Sequence, residues 1–221
     1  MGTIVARIAE ARERIAAACA RSGRSPDGVT IVAVTKGFGP DAVREAVAAG
    51  IRDIGENRVQ EAEAKRAALA DLPGDVRWHM IGHLQTNKVK TALNLFDTIQ
   101  SVDSLHLAEA ISRRAPAPVS AFLEVNVAGE ASKTGFSLAE LPNAYETIAR
   151  MPGLGLRGLM TVAPISASPE DVRPVFRTLA EQAQQLGLKE LSMGMSDDYE
   201  TAVEEGATHV RLGRALFGER S

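Results

Sequence analysis

Apolar positions along the chain fall into two alternating patterns. Ile4, Ile8, Ala11 and Ile15 recur at helical spacing with Arg and Glu between them, which predicts an opening helix. Ser22-Gly23 stops it, and Pro26-Asp27-Gly28 reads as a turn. Short apolar runs then appear at 29–34, 51–55, 76–82, 96–102, 119–127, 154–160, 189–195 and 208–213. Ala-, Glu- and Leu-rich stretches with helical periodicity lie between them, at 41–50, 57–72 and 169–187 among others.

Short strands separated by helical connectors read as β/α repetition. An open doubly wound sheet uses the same alternation with fewer strands, and no GxGxxG follows the first run. Eight units without a long linker predict an α/β fold, a (β/α)₈ TIM barrel with the extra N-terminal helix packed on it. A single domain over residues 1–221 is expected, since barrels commonly run to this length. Aromatics make up only 4% of the chain, so the core is expected to be Ala, Val, Leu and Ile.

Charge and cysteine content narrow the function classes. The 28 acidic and 25 basic residues give a net charge of −3, which argues against nucleic acid as the main partner. No apolar run approaches the ~20 residues of a membrane span. Cys19 is the only cysteine, so an internal disulfide is excluded and a reducing compartment is expected. The N-terminal segment mixes Arg and Glu from Arg7 onward, unlike a signal peptide, and Ala6 stands where a myristoylation motif needs Ser or Thr. A cytoplasmic protein is the expectation.

In a barrel of this kind the chemistry sits at the C-terminal ends of the strands. The first strand ends in VAVTKGFG, placing Lys36 at the mouth, where an amine can attack an aldehyde. The competing reading is a solvated loop lysine, although Gly37 and Gly39 leave room for a ligand. After strand two, Asn57 either caps the following helix or presents its amide to a ring substituent, while Glu56 and Arg58 are expected to pair on the rim. His79 and His83 would form a metal pair on a helix; here one lies in a strand and the other follows a glycine, so no metal site is expected. After strand seven, Ser192, Gly194 and Ser196 offer hydroxyls and N–H groups, and Asp197 is placed to open the next helix. Gly213, at the last strand-to-helix junction, offers amides to an anion, with Arg211 either reinforcing that seat or pairing on the rim. A phosphate seat facing a lysine across the mouth fits a phosphorylated aldehyde, pyridoxal 5′-phosphate (PLP) being the candidate.

Seven segments extend this picture: AVTKGF (33–38), IGENRVQE (54–61), WHMIGHLQTNK (78–88), NVAGEASKTGF (126–136), GLRGLMT (155–161), LSMGMSDDYETAV (191–203) and VRLGRALFG (210–218). Through them the whole chain resembles the pyridoxal phosphate homeostasis proteins, fold-type III PLP proteins related to the N-terminal barrel domain of alanine racemase. The resemblance implies a non-catalytic PLP carrier with the cofactor held as a Schiff base on Lys36. It further implies Asn57 near the cofactor, Ser196 as a phosphate ligand, and Arg211 and Gly213 beside the phosphate or ring. The implied partners are PLP itself and, transiently, PLP-dependent enzymes, for a protein acting as a monomer. Two departures stand out. Arg214 replaces the usual Thr or Ser after Gly213, and Gly37-Phe38-Gly39-Pro40 lacks the second lysine often found there. With Arg214 at that position, its backbone N–H rather than its side chain is expected to serve the seat.

Two enzymatic alternatives use the same lysine. An amino-acid racemase needs a base on each face of the bound substrate. Neither Tyr145 nor Tyr199 has an evident route there, and with Ser221 following directly on the eighth unit the second racemase domain is expected to be absent. A Schiff-base aldolase acting on a sugar phosphate would need an acid/base partner, for which Glu124 and Asn126 are the inward candidates. Glu124 beside Lys36 would favour the aldolase.

Overall fold

A computed structural model describes residues 3–165 and 168–219. Among these residues eight strands close into one parallel barrel in sequential order. They are Thr30–Val34 (β1), Asp53–Glu56 (β2), Arg77–Met80 (β3), Thr98–Val102 (β4), Val119–Glu124 (β5), Leu154–Met160 (β6), Glu190–Ser192 (β7) and His209–Leu212 (β8). β8 closes the ring on β1, pairing Ile31 with Val210. The helices are Ile4–Arg21 (α1), Pro40–Ala48 (α2), Val59–Ala68 (α3), Val89–Leu95 (α4), Leu105–Arg114 (α5), Leu141–Ile148 (α6), Arg173–Gln185 (α7), Tyr199–Glu204 (α8) and Arg214–Phe217 (α9). The expected barrel and additional N-terminal helix are both present.

Element boundaries shift where turn geometry overrides hydrophobicity. Ile51 belongs to the end of α2, not to the following strand. Its N–H returns to the Ala46 carbonyl over Gly50, whose φ of +87° reverses the chain, so β2 starts at Asp53. The expected helix at 169–187 begins as a 3₁₀ turn, Pro169–Val172, before Pro174 opens α7. The run at 119–127 outlasts its strand, since Val125 already bridges to Phe136.

Strand alternation divides the interior in two. Ile31, Ala33, Ile54, Ile99, Leu123, Val210 and Leu212 face the helices and pack with residues such as Val43, Ala46, Phe176 and Leu179. This layer is aliphatic, as the composition predicts. The barrel lumen is different: its buried residues include Asp53, His79, Gln100, Ser192 and Arg211. α1 lies across α8 and α9, burying Ile8, Ala11, Ile15, Ala18 and Cys19. Arg14 stacks over the Tyr199 ring and pairs with Glu200.

His209, also in the lumen, meets Phe122 edge-on at 5.3 Å between ring centroids. Burial, reinforced by His79 nearby, lowers its pKa to about 4. The unfolded chain, with an ordinary His pKa of about 6.5, therefore binds more protons between those two values. Stability contributed by neutral His209 is full above about pH 6.5 and is lost as pH falls toward 4. His209→Phe should flatten this loss, measured as the change in urea midpoint between pH 7 and pH 5; an unchanged difference from wild type would refute the assignment.

Candidate functional site

A cavity of about 640 Å³ opens at the C-terminal ends of β1, β2, β7 and β8. Lys36, Asn57, Ser196, Arg211 and Gly213 all line it, together with Val34, Phe38 and Ile81. The five residues singled out in the sequence therefore share one chamber. They reach it in different ways, and two of them differ from expectation.

Lys36 is the second residue after β1. The Phe38 N–H donates to the Thr35 carbonyl at 3.0 Å, and Gly37 has φ +77°, the signature of a type II turn with Lys36 at its first corner. Glycine is required at the second corner, because an L side chain is strained there. Phe38 then packs on Phe217 of α9, with ring centroids 5.2 Å apart, tying the Lys36 turn to the segment after β8.

Asn57 does not cap α3. Arg58 occupies that position without a side-chain hydrogen bond, while the Asn57 Oδ1 atom is buried with no partner. Gly82 explains the tight surroundings, since a Cβ there would lie 2.6 Å from the Asn57 carbonyl oxygen. Glu56 and Arg58 do not form a rim pair either. Glu56 is fully buried and accepts from Lys65 Nζ at 2.5 Å and from the Thr35 hydroxyl.

On the opposite wall, Ser196 Oγ accepts the Ala215 N–H at 3.1 Å, joining the loop after β7 to the first turn of α9. Gly213 leaves space above β1, where a Cβ would meet the Val34 carbonyl at 3.4 Å. The Arg214 side chain turns to the rim and pairs with Asp197. Asp197 accordingly does not open α8; Asp198 stands at that position and accepts the Met195 N–H.

Arg211 is not the rim ion pair that was one of its two readings but a buried cation lining the cavity. Its guanidinium donates to Ser192 Oγ at 2.6 Å and to the Thr161 carbonyl at 2.8 Å. Ser192, expected at the mouth, lies beneath it and donates to Gln100 Oε1 at 2.7 Å. Gln100 Nε2 meets His79 Nδ1 at 3.0 Å, and His79 Nε2 meets Asp53 at 2.9 Å. Arg77 closes the chain from outside, donating to Asp53 at 2.8 Å. The direction is fixed at both ends, because an arginine only donates and a carboxylate only accepts. Every proton therefore points toward Asp53, which places the His79 proton on Nε2. Burial pushes the Arg211 pKa down to about 10, partly offset by Asp198 and Glu124, so the group stays charged at neutral pH.

The remaining candidates lie elsewhere. His83 is exposed and pairs with Asp103, away from the lumen-facing His79. Among the described residues no group of three His, Cys, Asp or Glu side chains converges as metal ligands would. Glu124 ends β5, half the barrel away from β1, and bonds to Thr134 at 3.0 Å. It does not line the Lys36 cavity. Tyr145 packs on the helical layer, and Tyr199 is buried beneath Arg14. Beside the cavity, sequence reasoning missed Lys65 and Gln100 and gave Glu56 the wrong partner. Polar residues at alternate positions of apolar strands were the available signal for Gln100 and its lumen neighbours.

Removing the Arg211 guanidinium leaves a buried carbonyl and a buried hydroxyl short of a donor, at about 1–3 kcal/mol each. Arg211→Ala should therefore destabilise the barrel by about 2–4 kcal/mol. Arg214→Ala, which breaks only a rim pair, should cost less than about 1 kcal/mol. Urea unfolding of the two variants checks this, and equal losses would contradict the buried-floor assignment.

Comparison with known proteins agrees with this fold. Residues 5–221 match the family described as "Alanine racemase, N-terminal domain". The chain is 46% identical to the pyridoxal phosphate homeostasis protein of Pseudomonas aeruginosa, covering all of this chain and 97% of that protein. It is 43% identical to the protein of the same name from Aquifex aeolicus, over 97% of each. Among solved structures, PipY of Synechococcus elongatus with PLP bound superposes with a TM-score of 0.84 at 39% identity, over 98% of this chain and all of that one. Alanine racemase from Corynebacterium glutamicum shares the fold at 16% identity, with a TM-score of 0.71 over 97% of this chain and 62% of that one. A lysine-bearing turn on β1 facing a glycine junction after β8 is thus set in a barrel that belongs to the alanine racemase N-terminal domain family, among its pyridoxal phosphate homeostasis proteins.

Proposed function

We propose that this chain is a non-catalytic PLP-binding protein of intracellular PLP homeostasis, one barrel domain over residues 1–221, with the cofactor held on Lys36. The observation that carries the reading is the convergence of Lys36, Asn57, Ser196, Arg211 and Gly213 on one cavity. The pyridoxal phosphate homeostasis proteins among its relatives and the PLP bound to PipY support it.

The residues present fit the cofactor. The buried, unpartnered Asn57 Oδ1 is an acceptor awaiting a donor, the kind of atom that a protein rarely leaves unpaired without a ligand to meet it. The Arg211 cation favours electron-rich ligand atoms over the floor, and Gly213 lines the cavity beside Ser196, where a backbone without a side chain lets an anion approach closely. When bound, PLP supplies an aldehyde with which a lysine amine condenses. Lys36, at the corner of its turn, brings that amine to the cavity. The Ser196 hydroxyl and the backbone at Gly213 and Arg214 hold the phosphate end. Arg211, tied to Ser192 and the Thr161 carbonyl by two of its donors, would face the cofactor from the cavity floor.

Neither the Glu124 of the aldolase alternative nor the tyrosines of the racemase alternative line the cavity, whose carboxylates are Asp197, paired with Arg214 at the rim, and Glu219. Glu124 is engaged with Thr134, and both tyrosines are packed elsewhere. The acid/base partners that a racemase or an aldolase would draw from Glu124, Tyr145 or Tyr199 are therefore not set opposite Lys36. No helix of the described residues is long and apolar enough to cross a membrane. A cytoplasmic monomer meeting PLP-dependent enzymes transiently is consistent with this reading.

Borohydride reduction in the presence of PLP, followed by peptide mapping, should place the label on Lys36 alone. Lys36→Ala should lose the label while keeping its stability within about 1 kcal/mol, as expected for a partly exposed rim position. Substantial label on Lys133 or Lys88 would contradict the assignment. The loaded protein incubated with L-alanine should leave its chirality unchanged; turnover in the ordinary enzymatic range of ~1–10³ s⁻¹ would overturn the carrier reading.

A further inference from the structure

The turn that carries Lys36 is held from below by a second lysine. Lys65, on α3, is 4% exposed and directs its ammonium to three acceptors. These are the Thr35 carbonyl at 2.6 Å, Glu56 Oε1 at 2.5 Å and Glu61 Oε1 at 2.9 Å. Thr35 and Gly37 flank Lys36, and both are tied into this cluster. The Thr35 carbonyl, which also accepts the turn-closing Phe38 N–H, takes the Lys65 ammonium. The Thr35 hydroxyl donates to Glu56. The Gly37 N–H donates to the Glu61 oxygen that Lys65 also holds, at 2.6 Å.

We propose that Lys65 is the positioning residue for Lys36: with Glu56 and Glu61 it fixes both peptide groups beside Lys36, and so aims the Lys36 amine into the cavity. This rests on the reading that Lys36 receives the cofactor. The physical reason is conformational. A lysine side chain has four rotatable bonds, so where its amine goes is set largely by how rigidly its own Cα is held. The cluster removes freedom from the turn on both sides of that Cα. Lys65 does not line the cavity, so it acts through the turn.

The arrangement also explains Glu56. Burial pushes its carboxyl pKa up, against the hydrogen bonds from Lys65 and Thr35, and its Oε2 has no partner. A carboxylate buried merely for stability is poorly served there, because ion pairs out of water seldom recover the cost of desolvation. Its place is accounted for by what it holds: the ammonium under Lys36 and the side chain of Thr35.

The test compares wild type with Lys65→Met, which keeps the volume and removes the charge, and with Glu61→Gln, which loosens Gly37 at a partly exposed position. Three quantities are read: the rate of visible absorbance change on mixing with PLP, the position of the absorption band, and acetylation of Lys36 by acetic anhydride in the cofactor-free protein relative to exposed Lys189. Lys65→Met should slow the PLP reaction about tenfold, since small misplacements of a reacting group carry losses of this order or more. Glu61→Gln should slow it about threefold. In both, the band should shift and the Lys36 acetylation ratio should move toward that of Lys189. A folded Lys65→Met protein with wild-type rate, band and acetylation would show that Lys65 merely stabilises the barrel and would overturn the proposal. Should Lys65→Met fail to fold, Glu61→Gln decides by the same three quantities. Should wild type take up no PLP on Lys36, the cofactor reading fails by itself, and the acetylation ratios still decide for or against Lys65.

Discussion

A guanidinium buried inside a barrel sets the terms for the rest of this molecule. A charge with no solvent is tolerated only when polar partners meet it, and Arg211 commits two of its donors to Ser192 Oγ and the Thr161 carbonyl. Ser192 must then pass its proton onward, Gln100 must accept it, and the sequence of bonds ends only at Asp53, where Arg77 brings the opposite charge to the surface. The lumen is consequently a line of polar residues through the width of the fold. The usual filling of a (β/α)₈ barrel is layers of branched aliphatics. Here such residues serve the strand-to-helix layer, while the axis serves the cation.

That line gives the mouth a fixed floor. Above it, two walls come from opposite ends of the sequence yet are neighbours in the closed barrel, because β8 pairs with β1. The first wall is the turn after β1, the second the loops after β7 and β8, and the Phe38–Phe217 contact joins them. Closure is therefore what turns a lysine near the start of the chain and a glycine near its end into one site. The rim is held by weaker means. Arg214 with Asp197 and Arg14 with Glu200 are largely exposed pairs, whose contribution to stability is small.

The layer architecture and the membership of the mouth were legible from residues alone. Short apolar runs marked the strands, and the residues that follow them, Lys36, Asn57, Ser196 and Gly213, do converge. Depth was not legible. Arg211 looks identical in sequence whether it reaches the rim or the lumen, and only the parity of β8 within the closed ring sends it inward. The Lys65 cluster was hidden for a different reason. Glu61 and Lys65 are four apart on one helix, which ordinarily means an exposed pair. The burial of Lys65 depends on a type II turn from another β/α unit landing on the pair. Asn57 shows the same limit, since a polar residue just before a helix normally caps it, and here a tight crossing at Gly82 denies it that role.

The most direct test is a crystal structure of this chain grown with PLP, at a resolution that places individual ligand atoms. Density should run continuously from Lys36 Nζ, with the phosphate on the Ser196 and Gly213 side. Arg211 should remain bonded to Ser192 and the Thr161 carbonyl. A ligand bound away from Lys36, or an Arg211 side chain that leaves Ser192 to reach the phosphate, would contradict the account of a fixed cationic floor beneath a lysine mouth.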